Sequence, residues 1–500
     1  MLITDPSQLP ARLYLAEQVR ALDRCAIEQH GIPGLTLMER AGGAAFELLR
    51  ARWPEARSIT VLCGTGNNGG DGFVVARLAR QAGLTVRLLQ LGGSAKLRGD
   101  ALASAERFLQ AGGTIEPYAD LNFPADLIVD AVLGTGLERA VSGPWAEALM
   151  AANRHPAPLF ALDIPSGLHA DSGRILGCAI QAQATISFIG LKQGMFTAEG
   201  PACCGAIAFA DLEVPSEVYR AVEGSARLLR WQAFAERLKP RARSLHKGDC
   251  GHLLLVGGET GLLGAIRMAG EAALRTGAGL VSIATRPEHA ALIASQRPEL
   301  MCHGVAQPEE LLPLLARADA VAVGPGLGQG PWGQRMLRRV LQCDLPLVVD
   351  ADGLNLLAQE PERRDGWVLT PHPGEAGRLL GCSAREIQSD RFGAVSRLRR
   401  RYGGVVLLKG AGTLIASEAE ALTGLCREGN PGMASGGMGD LLTGVIGSLI
   451  VQGEPIEMAA EMGACLHGAA ADLAAGGGER GMLATDLLPA IRRLMNPEAG

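Results

Sequence analysis

The chain of 500 residues is poor in aromatic side chains, at 4%. It has no apolar run approaching the roughly 18–20 residues that cross a bilayer, so no membrane span is expected. Its 11 cysteines are scattered, without C-x-x-C spacing and with only Cys203 and Cys204 adjacent. An odd, dispersed set argues against a disulfide framework and for a reducing compartment, and it offers no zinc cluster. The net charge of −5 lacks the basic footprint that nucleic acid requires. The basic run Arg397, Arg399, Arg400 and Arg401 reads as a solvated helix face. The first residues hold no basic segment followed by an apolar one, so no secretory leader is expected and the location expected is cytoplasmic. A Walker A string is missing, and so is any repeat of fixed period.

What is abundant is glycine, 67 residues, in a chain that is 47% apolar. That balance suits α/β enzymes, whose strand-to-helix turns need glycine, and the length implies two or three domains. Residues 15–50 have a helical pattern, with Val19, Leu22 and Ala26 on one face. Continuous apolar runs at 58–63, 85–91, 126–132, 158–163 and 184–189 then read as parallel strands covered on both faces. Helical patterns at 73–82, 100–111 and 145–153 lie between them, giving a doubly wound, Rossmann-like domain over residues 1–222. Residues 216–245 are charged and read as a strand-poor connector. A second α/β series, within a domain over residues 223–500, has strands expected at 252–256, 280–284, 320–323, 345–349, 367–370 and 405–409. Mostly helical sequence follows from Asp440 to about Leu494.

In the first half, Gly66-Asn67-Asn68-Gly69-Gly70-Asp71-Gly72 follows the first strand. Glycine there lets backbone N–H groups approach an anion. Asn67, Asn68 and Asp71 add side-chain oxygens of the kind that suit a hard cation. Asp130 ends a later strand ahead of Gly134-Thr135-Gly136-Leu137-Glu138-Arg139, and Asp163 ends the next, in Asp163-Ile164-Pro165-Ser166-Gly167. Strand ends converge on one crevice in such sheets, so these acids are expected to share a pocket, where they need a cation or a raised pKa to coexist.

In the second half the informative string is Gly436-Gly437-Met438-Gly439-Asp440, which leads into Leu441, Leu442, Val445, Ile446, Leu449 and Ile450. Those intervals suit one face of a helix, whose glycine-rich N-terminus favours an anion. A carboxylate at that terminus, Asp440, is suited to take a proton from a hydroxyl beside a phosphoryl group. Gly324-Pro325-Gly326, Asp350-Ala351-Asp352, Thr370-Pro371-His372-Pro373-Gly374-Glu375 and Lys409-Gly410-Ala411-Gly412-Thr413 each fall at a strand's carboxyl end. Lys409 can meet a nucleotide phosphate as a point charge, and His372 between prolines is either a rigid structural residue or a ligand contact.

Together, in this order and over nearly the whole chain, these strings resemble the bifunctional NAD(P)H-hydrate repair enzymes. The resemblance implies an NAD(P)HX epimerase of YjeF N-terminal type, followed by a ribokinase-like, ADP-dependent NAD(P)HX dehydratase. The implied substrates are NADHX and NADPHX, hydrated at C6 of the nicotinamide ring. In the first half, Asn67, Asn68, Gly69, Gly70, Asp71, Gly134, Thr135, Gly136, Leu137, Glu138, Arg139, Ala140 and Asp163 would contact the hydrate. Asn68, Asp130 and Ser166 would hold K+, with Asp163 as acid–base group and Lys192 as its electrostatic partner. In the second, Ala265, Gly326, His372 and Asp440 would contact the hydrate, and Lys409, Gly410, Ala411, Gly412, Thr413 and Gly439 the nucleotide, with Mg2+ assisting. Met438 departs from the small residue usual there in ribokinase-like sugar kinases and would either shift the nucleotide or pack the helix start. A homo-oligomer is expected. Two alternatives stay open on the residues alone: a small-alcohol kinase fused to a Rossmann module, and a non-catalytic nucleotide sensor.

Overall fold

The computed structural model describes residues 1–496. The chain divides into two compact units, Met1–Arg227 and Leu228–Gly500.

In the first unit the sheet runs, in spatial order, Leu2–Ile3, Ala206–Ala210, Ala184–Phe188, Leu159–Leu162, Leu127–Ala131, Ser58–Cys63, Thr85–Gln90 and Ile115–Pro117. All neighbours are parallel except the first pair. The strands are apolar on both faces because helices cover both, which is why their sequences do not alternate. From Ser58–Cys63 the chain first adds strands on one side and then returns to the other with Leu127–Ala131. The carboxyl ends of these two strands therefore flank a topological switch point, where open sheets bind ligands. The expected long helix over 15–50 is three pieces: Ala16–Arg24, a π-helical turn Cys25–Gln29, and Gly34–Arg52. Gly31, at φ +66°, and Pro33 break it, since neither continues a helix readily.

The second unit's sheet has the order Met301–Gly304, Leu280–Thr285, His252–Val256, Ala320–Val323, Leu347–Val349, Trp367–Leu369, Val405–Leu408, Thr413–Ala416 and Thr423–Cys426. It is parallel up to Val405–Leu408, and the last two strands are antiparallel. Its switch point lies between His252–Val256 and Ala320–Val323. Helix Met438–Val451 is buried on every side rather than on the single face its apolar spacing predicts. The small residues explain this: a Cβ on Gly444 would stand 2.0 Å from the Ala269 carbonyl of helix Leu263–Thr276, so the two backbones cross in near contact. Ser448 Oγ accepts the Ala278 N–H at 3.0 Å, which satisfies the buried hydroxyl.

The charged connector contains an unforeseen strand, Ala226–Leu229, whose Ala226 pairs with Leu13. Among the described residues, no helix is long and apolar enough to cross a membrane.

Candidate active sites

At the first unit's switch point lies a cavity of about 450 Å³. The chain turns abruptly after Leu159–Leu162: Asp163 adopts φ +64°, and its N–H donates to Ile186 O at 2.7 Å. A non-glycine residue held in that region costs on the order of 1 kcal/mol, and such strain gathers at functional sites. The turn aims the carboxylate at Lys192, whose ammonium donates to Asp163 Oδ1, to Ser187 Oγ at 2.9 Å and to Phe188 O at 3.3 Å. Lys192 is wholly buried, so this pair is screened from water. A Cβ at Gly134 would lie 3.3 Å from Asp163 Oδ2, which accounts for glycine at that position.

Asp71 and Asp23 share the cavity. Burial, then the charges of Asp163 and Asp23, push Asp71 well above the usual carboxylate range against the pull of Lys192. Burial and Asp163 raise Asp23 to about 6, with Lys192 and Arg24 opposing.

Behind this wall Asp130 is fully buried and pushed up to about 6 by that burial, although it is well bonded. It accepts from Ser166 Oγ at 2.5 Å, Ser166 N–H at 2.7 Å and Val132 N–H at 3.2 Å. Asn68 Nδ2 donates to Leu133 O at 3.1 Å, while Asn68 Oδ1 is buried with no hydrogen-bond partner among the described residues. The expected trio Asn68, Asp130 and Ser166 is thus brought together, with an orphaned oxygen in it.

Not every expected contact residue faces the cavity. Asn67, Asn68, Asp71, Gly134, Thr135, Gly136, Leu137 and Asp163 line it. Glu138, Arg139 and Ala140 are exposed and outside the lining, because the chain emerges to solvent beyond the buried Leu137. Gly69 and Gly70 also lie outside it, in helix Asn67–Gln81. A Cβ on Gly69 would stand 2.3 Å from the Gly64 carbonyl and one on Gly70 2.5 Å from Met38, so these glycines let the helix start against strand end and neighbouring helix. Alanine's helix advantage of about 1 kcal/mol cannot offset such an overlap.

In the second unit the centre is Asp350, almost wholly buried. Its Oδ1 accepts from Lys409 Nζ at 2.8 Å and Thr370 Oγ1 at 2.8 Å, and its Oδ2 from Thr443 Oγ1 at 2.9 Å. Lys409 also lies 3.9 Å from Glu375 Oε2. Burial pulls the ammonium's pKa down, but Asp350, Glu375 and Asp440 outweigh it and hold Lys409 above its ordinary value. Helix Met438–Val451 begins beside this pair, with Gly437 at φ +92° as its N-cap. A Cβ on Gly439 would come within 3.1 Å of Lys409 Nζ and 3.3 Å of Asp350 Oδ2, so glycine keeps the ammonium over the helix start. Leu441 N–H makes the first intrahelical bond, to Gly437 O, and the preceding N–H groups belong to the anion-favouring end. Asp440 is pushed up to about 7 by burial, then by Asp350, against Lys409.

His372 caps helix Pro373–Leu380: its Nδ1 accepts from Gly374 N–H at 2.9 Å and Glu375 N–H at 3.3 Å, while Glu375 returns a bond to His372 N–H at 2.8 Å. The structural role expected as one option is therefore real, and the half-exposed ring still faces Glu375 Oε1 at 3.3 Å. Gly326 adjoins Ala265 across the switch point, and Gly328 N–H donates to Asp352 Oδ2 at 3.0 Å, tying that loop to a carboxylate whose charge bears on Asp440. The loop Lys409–Thr413 rests on a buried guanidinium, Arg391, which donates to Leu408 O, Lys409 O and Gly412 O at 3.1–3.4 Å. Met438 packs into the core with its side chain buried, so of its two expected roles it takes the packing one.

Sequence spacing hid a further group: Cys426, Glu428 and Cys465 lie together, with ligand atoms within 4.8 Å of one another. Cys426 Sγ donates to Glu428 Oε2 at 3.3 Å and Glu428 Oε1 accepts Trp231 N–H at 2.7 Å, so the half-buried glutamate is already bonded on both oxygens. Residues 426 and 465 are far apart in sequence, which is why no zinc-like spacing announced them.

A family model described as YjeF-related protein N-terminus matches residues 34–194, and one described as NAD(P)H-hydrate dehydratase matches residues 253–493. The bifunctional NAD(P)H-hydrate repair enzyme of Coxiella burnetii is 50% identical over 97% of this chain and 99% of its own. The chain belongs to that family. The repair enzyme of Escherichia coli is 47% identical over 99% of this chain and 96% of its own length. A solved structure, a hypothetical protein from Streptococcus mutans, is 29% identical with a TM-score of 0.50, covering 54% of this chain and 98% of that one. As in other members of the family, the first unit is Rossmann-like and the second ribokinase-like.

Three further groups belong to these sites: Asp350 stands at a strand end, whereas Arg391 and Asp23 sit in helices of ordinary pattern that carry no sequence signal.

Proposed function

We propose that residues 1–222 interconvert the R and S epimers of C6-hydrated NADH and NADPH. Residues 223–500 dehydrate the S epimer with ADP, releasing AMP and phosphate. The observation that carries this reading is Asp440 at a glycine-capped helix start beside the ion pair that Lys409 makes with buried Asp350.

Hydroxide is a poor leaving group and phosphate a good one. Asp440 takes the proton of the C6 hydroxyl as its oxygen attacks the terminal phosphorus of ADP. The helix N-terminus and Lys409 stabilise the charge on the moving phosphoryl group. The ring nitrogen's lone pair then expels phosphate, and loss of a neighbouring ring proton restores the reduced nicotinamide. In the first unit Asp163 protonates the departing hydroxyl, and Lys192 balances the resulting charge.

Both implied cations fit the donors present. Asn68 Oδ1, the orphaned acceptor, with Asp130 and Ser166 forms an all-oxygen set that would hold K+. Such an ion would supply fixed positive charge at this strand end, beside the cavity. In the second unit Glu375, a buried carboxylate that burial lifts to about 7 against the pull of Lys409, would hold Mg2+ on a nucleotide.

The test is to incubate the full chain with mixed hydrate epimers, Mg2+ and ADP or ATP. Recovery of reduced-nicotinamide absorbance from both epimers is expected; accumulation of a stable phosphorylated product instead would revive the small-alcohol kinase reading.

The pH dependence follows from Asp440. A base lifted to about 7 is protonated below that pH, so kcat/KM for dehydration should fall about tenfold per pH unit on the acid side. An acid limb near the ordinary carboxylate value of about 4 would contradict a raised Asp440 as the proton acceptor.

A further inference from the structure

R and S hydrates carry the C6 hydroxyl on opposite faces of the ring. One fixed carboxylate reaches only one of those faces. Asp163 is fixed: Lys192 holds Oδ1, and Oδ2 lies 3.3 Å from where a Cβ on Gly134 would stand. Asp71 comes from helix Asn67–Gln81, which starts at the same strand-end edge of the sheet that carries Asp163, and its charge bears on the Cys63 thiol at the end of strand Ser58–Cys63. Interconversion by way of a flattened iminium ring therefore needs a proton-transfer group from another direction.

Asp23 is the remaining candidate. It comes from helix Ala16–Arg24, outside the strand–helix series, and reaches the same cavity with Val19 and Ile27, one turn to either side of it. Among the described residues its carboxylate makes no hydrogen bond or ion pair, so a fold-keeping bond does not explain it. The helix is anchored at its start by Ala16 N–H to Asp171 Oδ1 and Leu15 N–H to Gln18 Oε1, each 2.7 Å. Right after Arg24 it widens into the π-helical turn Cys25–Gln29, a rare feature that recurs at functional sites.

We propose that Asp23 and Asp163 form a two-carboxylate pair, each serving one face of the nicotinamide ring. This rests on the epimerase reading above. The carboxylic acid on one face gives its proton to the C6 hydroxyl; the C–O bond breaks, water leaves, and the N1 lone pair forms the C6=N1 iminium. Water then adds from the other face and gives a proton to the second carboxylate. One proton has moved from one carboxyl to the other, and the hydroxyl oxygen has been replaced by solvent oxygen. Burial and the neighbouring Asp163 keep Asp23 near 6, so both protonation states are accessible at neutral pH.

The experiment uses the full chain without ADP, with each NADHX epimer separately in ¹⁸O-water. Interconversion is followed by chromatography and label at C6 by mass spectrometry. Wild type should interconvert the epimers and label both. Asp23→Asn should slow interconversion by roughly 10²-fold or more while one epimer still gains label with retained configuration. Asp163→Asn should show the same loss with the other epimer labelled. ADP-dependent dehydration by the same chains checks that they are folded. Asp23→Asn with near-wild-type interconversion, or with labelling lost equally from both epimers as a merely structural role would give, overturns the pair. A wild-type chain that leaves both epimers unchanged overturns the epimerase reading itself.

Discussion

Asp440→Asn is expected to lower ADP-dependent dehydration by roughly 10²–10⁴-fold, the usual contribution of a positioned general base. R/S interconversion should survive, because Asp163 and Lys192 lie in the other compact unit. The isosteric amide keeps the shape of the helix start and removes a charge that Asp350 and Asp352 oppose, so stability should hold or rise slightly. Nucleotide binding should persist, since Lys409 and the helix N-terminus remain. Coupled assays of both activities on one preparation check this: loss of both reactions would refute the division of labour, and undiminished dehydration would remove the base.

Lys409→Met should have the largest effect on stability. It leaves Asp350 almost wholly buried with hydroxyl donors but no counter-charge, and breaking such a pair costs roughly 3–5 kcal/mol. Pairing it with Asp350→Asn should recover much of that loss, because an amide needs no cation. Affinity for ADP should fall in both variants, since the ammonium over Gly439 is missing from each. Urea titration followed by hydrogen exchange in helix Met438–Val451 reads the first effect, and calorimetry with ADP the second. A single variant less than about 1 kcal/mol below wild type would mean that water already shields the pair.

Much of this was legible because the chemistry sits at punctuation. Asp440, Lys409 and the Asn67–Asp71 string stand beside glycines, and Asp163 directly follows a strand; at such strand ends and helix starts both fold and ligand constrain the sequence. The parallel strands were legible for the same reason that they are buried, being uninterrupted apolar runs. Asp23 was not, since one acid in a helix whose other residues mark a core face reads as solvated. Arg391 opens a helix rich in arginine, and only packing reveals that this one lies under a loop while Arg397, Arg400 and Arg401 are exposed. The strands Thr413–Ala416 and Thr423–Cys426 follow the glycine-rich residues 409–412 and the polar stretch 417–420, so their sequence reads as loop. Glu138, Arg139 and Ala140 continue a glycine-rich string, and nothing in their order marks where the chain leaves the cavity.

The most direct measurement follows one oxygen atom. S-epimer hydrate carrying ¹⁸O at the C6 hydroxyl is turned over with ADP by the Asp23→Asn/Asp163→Asn chain, in which the first unit no longer exchanges that oxygen with solvent, and the released inorganic phosphate is weighed. If Asp440 delivers that oxygen to phosphorus, each phosphate carries one heavy atom. Unlabelled phosphate, with the isotope recovered in water, would mean that the hydroxyl leaves without being phosphorylated and that the aspartate does not do this work.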